Sequence, residues 1–260
     1  MTVAKLAAPG RALVRAPVAP MYDKPNPASV LVSQRLAGFD LDLLKAEGDW
    51  FLVRGVDGYE GWMHRSYLAP APTQTARRSG QVIRISLGCV TRSAAGDRRM
   101  LPLGARLAPD EMLRSGEMVE QPQLPMKFPR TALAITRSAK EYFEGASYLW
   151  GGITPWGADC SGFVQTVFGL HGVALPRDAR LQAEAGDDAG ALTDLEPADL
   201  AFFSEDEVGV VSHVAIALGA DRIVHMSLGR AGYAVENLGD RRDAYVKLLN
   251  ERFVRARRIL

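Results

Sequence analysis

Cys160 lies in the stretch PWGADCSGFV (155–164), between an aspartate and a Ser-Gly pair, where a polar loop meets an apolar run. The apolar residues after it have helical spacing, which predicts a helix with Asp159 as its N-cap and the cysteine in its first turn. There a thiolate faces the positive end of the helix dipole, which lowers a cysteine pKa when a histidine or another cation assists. Unpaired backbone amides at the same place could hold an oxyanion. Cys160 is therefore a candidate nucleophile, and the alternative is a buried, inert cysteine.

A nucleophilic cysteine needs a base, and the chain offers four histidines. His213 and His225 lie in two alternating runs around a GAD loop (219–221), a pattern typical of a β-hairpin. In the register that this loop sets, His225 lies opposite Ala215, and both histidines share one face as diagonal neighbours. Their companions on that face are small, so we expect the two rings to serve chemistry and not core packing.

His64 and His171 have simpler interpretations. His64 lies in an N-terminal β segment and is expected to be structural or exposed, and His171 is expected to be a cation in the last turn of the Cys160 helix. A cysteine with two histidines could instead hold zinc with an open fourth position. Metal sites usually draw ligands from close pairs such as C-x-x-C, which this chain lacks, so a nucleophile with a base and an orienting group is favoured.

The elements that position these residues belong to the C-terminal half of the chain. Residues 131–145, TALAITRSAKEYFEG, have helical periodicity and end at a glycine. Upstream, short apolar runs between turn signals are typical of small β modules, with a linker by composition at 69–80. We therefore predict β domains at 1–72 and 76–126, followed by the domain that carries the chemistry at 130–260.

Composition excludes several classes of function. The chain has 260 residues, 47% hydrophobic and 23% charged, which is ordinary for a soluble globular protein. Its net charge of +1 gives no footprint for nucleic acid or an anionic membrane, and no apolar run approaches the length of about 20 residues that a membrane span needs. The N-terminus lacks the apolar core of a secretory signal, and two cysteines make no disulfide framework. We expect a cytoplasmic protein without nucleic-acid or membrane partners.

Five stretches in order over about residues 130–260 resemble the NlpC-type cell-wall cysteine peptidases, papain-like enzymes of bacteria. They are YLWGG, DCSGFVQTVF, LPRDA, LEPADLAFF and SHVAIALGADRIVHMS. The upstream segments resemble bacterial SH3-like modules, and two such modules before this domain resemble the γ-D-glutamyl-L-diamino acid endopeptidases. The resemblance implies an α+β fold: a papain-like domain, whose cysteine-bearing helix packs on an antiparallel sheet, preceded by two small SH3-like β-barrels.

The resemblance also implies roles for single residues. Cys160 is implied to be the nucleophile, His213 the general base and His225 the residue that orients the base. Tyr148, in YLWGG, is implied to lie near the thiol and to help stabilise the oxyanion.

Other residues are implied to bind the substrate. Asp159 and Ser161 match positions that hold its N-terminal side, and a free amine near Asp159 would explain an acid beside the thiol. Tyr59, in DGYEGW, is our candidate for a wall, formed by the first module, that admits only peptides with a free N-terminal L-alanine.

The chain departs from the family pattern at two positions. Ala198 replaces the usual glycine of PGDLLFF, and we expect a small backbone strain there. Ala179 replaces a serine that often follows LPRD, which removes one hydrogen bond to the substrate amine. Pro176 and Arg177, within LPR, are expected to shape the backbone and not to do chemistry.

The implied activity is thiol acyl transfer to water, without a cofactor or a metal. The implied substrate is a murein peptide with a free N-terminal L-alanine, cleaved at the γ-D-glutamyl-L-diamino acid bond in cell-wall peptide recycling. Two alternatives stay open, since a fold does not fix a substrate. One is another amidase or acyltransferase on the same core, and the other is a non-catalytic wall-binding protein whose SH3-like modules carry the function.

Overall fold

A computed structural model describes residues 6–71, 82–204 and 209–260, which belong to two compact units, Met1–Leu124 and Pro125–Leu260. Most of the linker expected at 69–80, and the predicted start of the second β domain at residue 76, lie outside the described residues. Within the described ranges, no helix combines the length and the apolarity that a membrane crossing requires.

Seven strands before residue 72 form one antiparallel sheet, in the order β3-β2-β6-β5-β4-β1-β7. They are β1 Gly10–Val14, β2 Val18–Tyr22, β3 Leu31–Leu36, β4 Asp40–Glu47, β5 Trp50–Arg54, β6 Glu60–His64 and β7 Leu68–Pro70. Alternate side chains point inward, as the period of a strand requires, so that Leu41, Leu43 and Val53 are buried in one core. Tyr59, just before β6, packs against this core.

The second β segment forms a three-stranded antiparallel sheet within the described residues, in the order β10-β8-β9. Its strands are β8 Arg84–Arg92, β9 Arg98–Leu101 and β10 Met112–Glu120. This sheet packs on the first one inside the same unit: the Arg106 amide donates to the Ala37 carbonyl at 2.8 Å, and the Arg106 guanidinium lies 4.4 Å from the centre of the Phe39 ring. Cys89 of β8 is buried.

Helices and a six-stranded sheet form the unit Pro125–Leu260. Its helices are α1 Leu124–Lys127, which crosses the boundary between the units, α2 Ala132–Phe143, α3 Cys160–Leu170, α4 Ala179–Gln182 and α5 Ala244–Glu251. The predicted helix after residue 130 is confirmed as α2, which Thr131 caps by accepting a hydrogen bond from the Ala134 amide. The predicted Cys160 helix is α3, and the apolar stripe that follows the cysteine is buried.

The described strands of this unit form a small ribbon and a larger antiparallel sheet, in the order β13-β18-β14-β15-β16-β17 for the sheet. They are β11 Ile153–Thr154, β12 Gly157–Ala158, β13 Asp187–Asp188, β14 Leu200–Phe203, β15 His213–Gly219, β16 Arg222–Ser227, β17 Gly232–Asn237 and β18 Phe253–Arg258. Helix α3 packs against β15 and β16. The expected α+β fold, with the cysteine-bearing helix on an antiparallel sheet, is confirmed.

The predicted hairpin is β15–β16, with one correction at its loop. Ile216 pairs with Val224, which sets the predicted register of the two histidines. The loop, however, has two residues and not three: Ala220 and Asp221 both have positive φ, at 50° and 57°, and the register shifts by one residue just before them. This shift is a β-bulge, which alternation in the sequence does not reveal, and it lies too far along the strands to move the histidines.

Candidate active site

The start of α3 is fixed by Asp159 and by two glycines. The Asp159 carboxylate accepts a hydrogen bond from the Gly162 amide at 2.7 Å, which caps the helix as predicted. A Cβ atom on Gly162 would collide with the carbonyl oxygen of Gly152. Glycine at 162 therefore allows the preceding loop to pack directly on the first turn, which places Cys160 where the loop and the helix meet.

The sulfur of Cys160 lies against the strand segment that carries His213. Its thiol is 4.0 Å from the carbonyl oxygen of Ser212, and the backbone amides of Val214 and Ser161 also interact with it. Ser212 and Val214 flank His213 in the chain. The fold thus brings Cys160 against the two residues that flank His213, although they lie more than 50 residues apart in the chain.

The expectation of a lowered cysteine pKa is wrong for this state of the protein. Burial, and then the negative charge of Asp159, raise the pKa of Cys160 to about 12, and these effects outweigh the lowering by backbone amides and Arg177. Burial, followed by repulsion from His225, holds the pKa of His213 well below its ordinary value of 6.5. The thiol and the imidazole are both neutral here, so the proton must pass to His213 as the sulfur attacks.

The two histidines form a hydrogen-bonded pair on one face of the hairpin, as the register predicts. Nε2 of His213 lies 2.8 Å from Nδ1 of His225, and the two side chains are buried. One nitrogen of this pair must donate and the other must accept. When His213 donates from Nε2, its Nδ1 keeps the lone pair that can take a proton. A base and a group that can orient it are therefore paired on the strand next to Cys160, and their catalytic roles stay a prediction.

Arg177 is the functional residue that the sequence did not identify. Its side chain is 2% exposed, and it donates to both oxygens of Asp159, at 3.0 Å from Nη1 and 2.6 Å from Nη2. The Gly151 amide adds a further donor to the same carboxylate at 2.8 Å. We had expected Arg177 only to shape the backbone. It also neutralises the charge of Asp159 beside the thiol. Its partner, Asp159, lies 18 residues away in the chain and could not be found without the fold.

Asp159 and Ser161 are engaged inside the protein, and this bears on their expected contact with substrate. The Ser161 hydroxyl accepts from Arg177 at 2.8 Å and donates to Asp159 at 3.3 Å. Gln182 of α4 holds the Ser161 carbonyl through its side-chain amide at 3.0 Å. This geometry favours a positioning role for both residues at the start of α3, and their contact with the substrate amine stays a prediction.

The two tyrosines lie in different units. Tyr148 is half-buried, its amide donates to the Ala231 carbonyl at 3.0 Å, and its backbone bridges to Ala158, next to Asp159. This places the Tyr148 backbone near the start of α3, in keeping with its implied role beside the thiol. Tyr59 belongs to the N-terminal unit, and its role as a wall of the substrate cleft stays a prediction.

The remaining expectations have mixed outcomes. Ala198 has φ of +71°, in the left-handed region that favours glycine, so the strain expected there is confirmed. His171 is no cation: its Nδ1 donates to the Pro129 carbonyl at 2.7 Å, its Nε2 lies 3.0 Å from the Ser138 hydroxyl, and burial lowers its pKa. Within the described ranges, no cluster of three or more His, Cys, Asp or Glu side chains is arranged to hold a metal ion.

Comparisons with known proteins find relatives for both parts of the chain. Residues 145–257 match the model of the NlpC/P60 family, and residues 21–68 match that of the bacterial dipeptidyl-peptidase Sh3 domain. The gamma-D-glutamyl-L-lysine dipeptidyl-peptidase of Bacillus subtilis (strain 168) is 40% identical over 98 residues, which span 37% of this chain but only 32% of that protein. The protein of the same name from Bacillus cereus (strain ATCC 10987 / NRS 248) is 26% identical over 260 residues, with 83% of this chain and 76% of that protein covered.

Among solved structures, an NlpC/P60 family protein from Bacillus cereus ATCC 10987 superimposes with a TM-score of 0.81. The match covers 96% of this chain and 100% of that one, at 21% sequence identity. At this identity the match shows a shared fold, which includes the strand-rich N-terminal region as well as the unit that holds Cys160.

Proposed function

We propose that this chain is a cysteine endopeptidase of murein peptides. The premise is that residues 145–257 are an NlpC/P60 family domain, which follows a bacterial dipeptidyl-peptidase SH3 domain in the chain. The observation that carries the proposal is the placement of the Cys160 sulfur 4.0 Å from the carbonyl oxygen of Ser212, next to His213, whose imidazole is hydrogen-bonded to His225 at 2.8 Å. A cell-wall binding protein would not need a buried thiol, a base and an orienting group in this order.

The reaction follows from the neutral resting state. The Cys160 sulfur attacks the γ-carbonyl carbon of D-glutamate while its proton moves to Nδ1 of His213. Amides in the first turn of α3 that have no partner within the helix can stabilise the oxyanion that forms. The imidazolium of His213, bonded to His225, then protonates the leaving amine of the diamino acid, and the acyl group stays on sulfur as a thioester. Water, deprotonated by His213, hydrolyses the thioester and restores the thiol.

The finer part of the proposal concerns the substrate. The bond cleaved is the γ-D-glutamyl-L-diamino acid bond of peptides that begin with a free L-alanine. The relatives named dipeptidyl-peptidases support this cleavage site, because a dipeptidyl-peptidase releases two residues from a free N-terminus. Tyr148, Asp159, Ser161 and Tyr59 are the proposed residues around the substrate. We place the activity in murein peptide recycling in the cytoplasm, with no cofactor and with no nucleic-acid or membrane partner.

Mass spectrometry of the products from defined peptides tests the proposal. L-Ala-γ-D-Glu-L-Lys and its diaminopimelate analogue, each with a free or an acetylated N-terminus, are incubated with the wild type and with Cys160→Ala. We expect release of L-Ala-D-Glu from the free peptides alone, and none with the variant. Equal cleavage of the acetylated peptides would contradict the free-amine requirement. If the folded wild type cleaves none of these peptides, the peptidase assignment is wrong, and another amidase or acyltransferase becomes the better hypothesis.

A further inference from the structure

Glu236 of β17 lies directly behind the orienting histidine. Its Oε1 is 3.6 Å from Nε2 of His225, and both side chains are buried, at 8% and 0% exposure. Nε2 of His225 has no partner within normal hydrogen-bond distance among the described residues. The distance to Glu236 is longer than a normal hydrogen bond but close enough for a strong electrostatic interaction between buried groups. No pattern in the sequence singles out this glutamate.

Arg230 holds the Glu236 carboxylate in place. Its Nε donates to Oε1 at 2.7 Å and its Nη2 to Oε2 at 3.1 Å, and Nη2 also contacts Asp243 at 2.6 Å. Burial alone would raise the pKa of Glu236, but interactions with His225 and Arg230 outweigh it and lower that pKa. A fixed negative charge is therefore buried behind the histidine pair.

The position of that charge decides where the protons of the pair reside. A carboxylate favours a proton on the nitrogen that faces it, which is Nε2 of His225. Nδ1 of His225 must then be an acceptor, and the 2.8 Å contact requires His213 to donate from its own Nε2. Neutral His213 is left with its lone pair on Nδ1. In the opposite arrangement His225 would donate to His213, and the lone pair of His225 Nε2 would face a carboxylate.

The ring of His225 has neighbours on three elements. His213 of β15 bonds to Nδ1, Glu236 of β17 faces Nε2, and Tyr245 of α5 lies with its ring centre 6.1 Å away. The Tyr245 hydroxyl is itself bonded to Ser227 at 2.6 Å, and the Arg230 guanidinium stacks on its ring. Among these groups Glu236 brings a negative charge to His225.

We propose that Glu236 is a positioning residue that fixes the tautomer of His225 and thereby keeps His213 competent as a base for Cys160. The proposal rests on the proposed function for the role of His213 as the base. Glu236 acts through His225 and does not touch the reacting atoms. Its charge also stabilises the imidazolium that forms on His213 when the thiol gives up its proton, which offsets part of the cost of that charge in a buried site.

Alkylation of Cys160 by iodoacetamide tests the proposal without any substrate. The rate is measured against pH for the wild type and Glu236→Gln, with modification mapped to Cys160 and not Cys89 by peptide mass spectrometry. The amide is isosteric but uncharged. We expect alkylation near neutral pH to fall by about tenfold to a hundredfold, as is typical when a residue that orients a functional histidine is lost. We also expect the acid limb of the profile to move to lower pH, because His213 becomes a weaker base.

Asp243→Asn is the matched control. Asp243 contacts the same arginine at 2.6 Å and caps α5, a role that asparagine retains, but it does not face His225. We expect its alkylation profile to equal that of the wild type. If Glu236→Gln also equals the wild type, or if both variants lose the same rate, Glu236 has only a structural role and the proposal is wrong.

Two further measurements separate the outcomes. With a cleaved murein peptide, Glu236→Gln should lower kcat and leave KM nearly unchanged, since the substrate does not contact Glu236. If Glu236→Gln does not fold, Glu236→Asp takes its place: the carboxylate is withdrawn from Nε2 by one methylene, and we expect a several-fold loss with a shift of the acid limb in the same direction. A wild-type profile for that variant would overturn the proposal. Absence of turnover by the wild type would contradict the proposed function. The alkylation rates would still show whether Glu236 affects the reactivity of Cys160.

Discussion

Replacing Arg177 with glutamine would leave the Asp159 carboxylate buried without its cation. The arginine side chain is 2% exposed, and its two hydrogen bonds to Asp159 are 3.0 and 2.6 Å long. Asp159 would keep its bonds to the Gly151 and Gly162 amides and to Ser161, which satisfy its oxygens but do not cancel its charge. Removal of one partner from a buried ion pair costs about 3–5 kcal/mol, because the other charge stays behind in a medium of low polarity.

The exposed pair between Arg255 and Glu184 provides the matched control. Its N–O distance of 3.0 Å is similar, but its side chains are 40% and 65% exposed. Arg255→Gln should therefore cost about 0–1 kcal/mol, since water screens the charges and the free partner stays hydrated. The two variants make the same chemical change at a buried ion pair with several hydrogen bonds and at an exposed ion pair with one.

Native-state hydrogen exchange of the α3 amides is the suitable assay. The chain has two compact units, so a melting curve of the whole chain does not tell which unit a substitution destabilises. The slowest amides of α3 report the free energy of opening of their own unit. A double variant, Asp159→Asn with Arg177→Gln, should cost clearly less than the sum of the single changes, because two neutral amides leave no buried charge. If Arg177→Gln lies within about 1 kcal/mol of Arg255→Gln, the reasoning about Asp159 is wrong.

Three other predictions follow from the site and its surroundings. Cys160→Ala should lower turnover by more than about 10³-fold without changing the circular dichroism spectrum. A smaller loss of turnover would contradict the role of the thiol. Ala198→Gly should raise the free energy of unfolding by roughly 0.5–1 kcal/mol, because φ is +71° there, whereas Ala139→Gly inside α2 should lower it; equal signs would refute the strain. Burial lowers the pKa of His171 from 6.5, so the unfolded chain takes up its proton first and stability falls as the pH drops below that value, by up to about 1.4 kcal/mol per pH unit. Native-state hydrogen exchange of the α3 amides at several pH values should show that the free energy of opening of this unit falls less steeply with decreasing pH in His171→Gln than in the wild type. An equal pH dependence would contradict this interpretation.

Local patterns in the chain were sufficient for the elements that carry the site. An aspartate before a cysteine and an apolar stripe of helical period predicted the start of α3, and Asp159 indeed caps it. Alternation around a short loop predicted that His213 and His225 share a face, and their rings are hydrogen-bonded. A period of two fixes the face of every residue in a strand, so the prediction holds even though the bulge makes the loop one residue shorter than expected. The roles of these residues came from the resemblance to NlpC-type peptidases and not from the spacing.

Only the tertiary structure decided the electrostatics of the site. The pairing of Arg177 with Asp159 and the approach of Glu236 to His225 join segments that lie apart in the chain, and no local pattern links them. The pKa of Cys160 also depends on the tertiary structure. The helix start that lowers this pKa is visible in the sequence, but the burial that raises it to about 12 exists only when α3 is packed on the sheet. Periodicity depends on nearest neighbours along one element, whereas desolvation and charge pairing depend on which elements enclose a group, and that is settled by the packing of the whole unit.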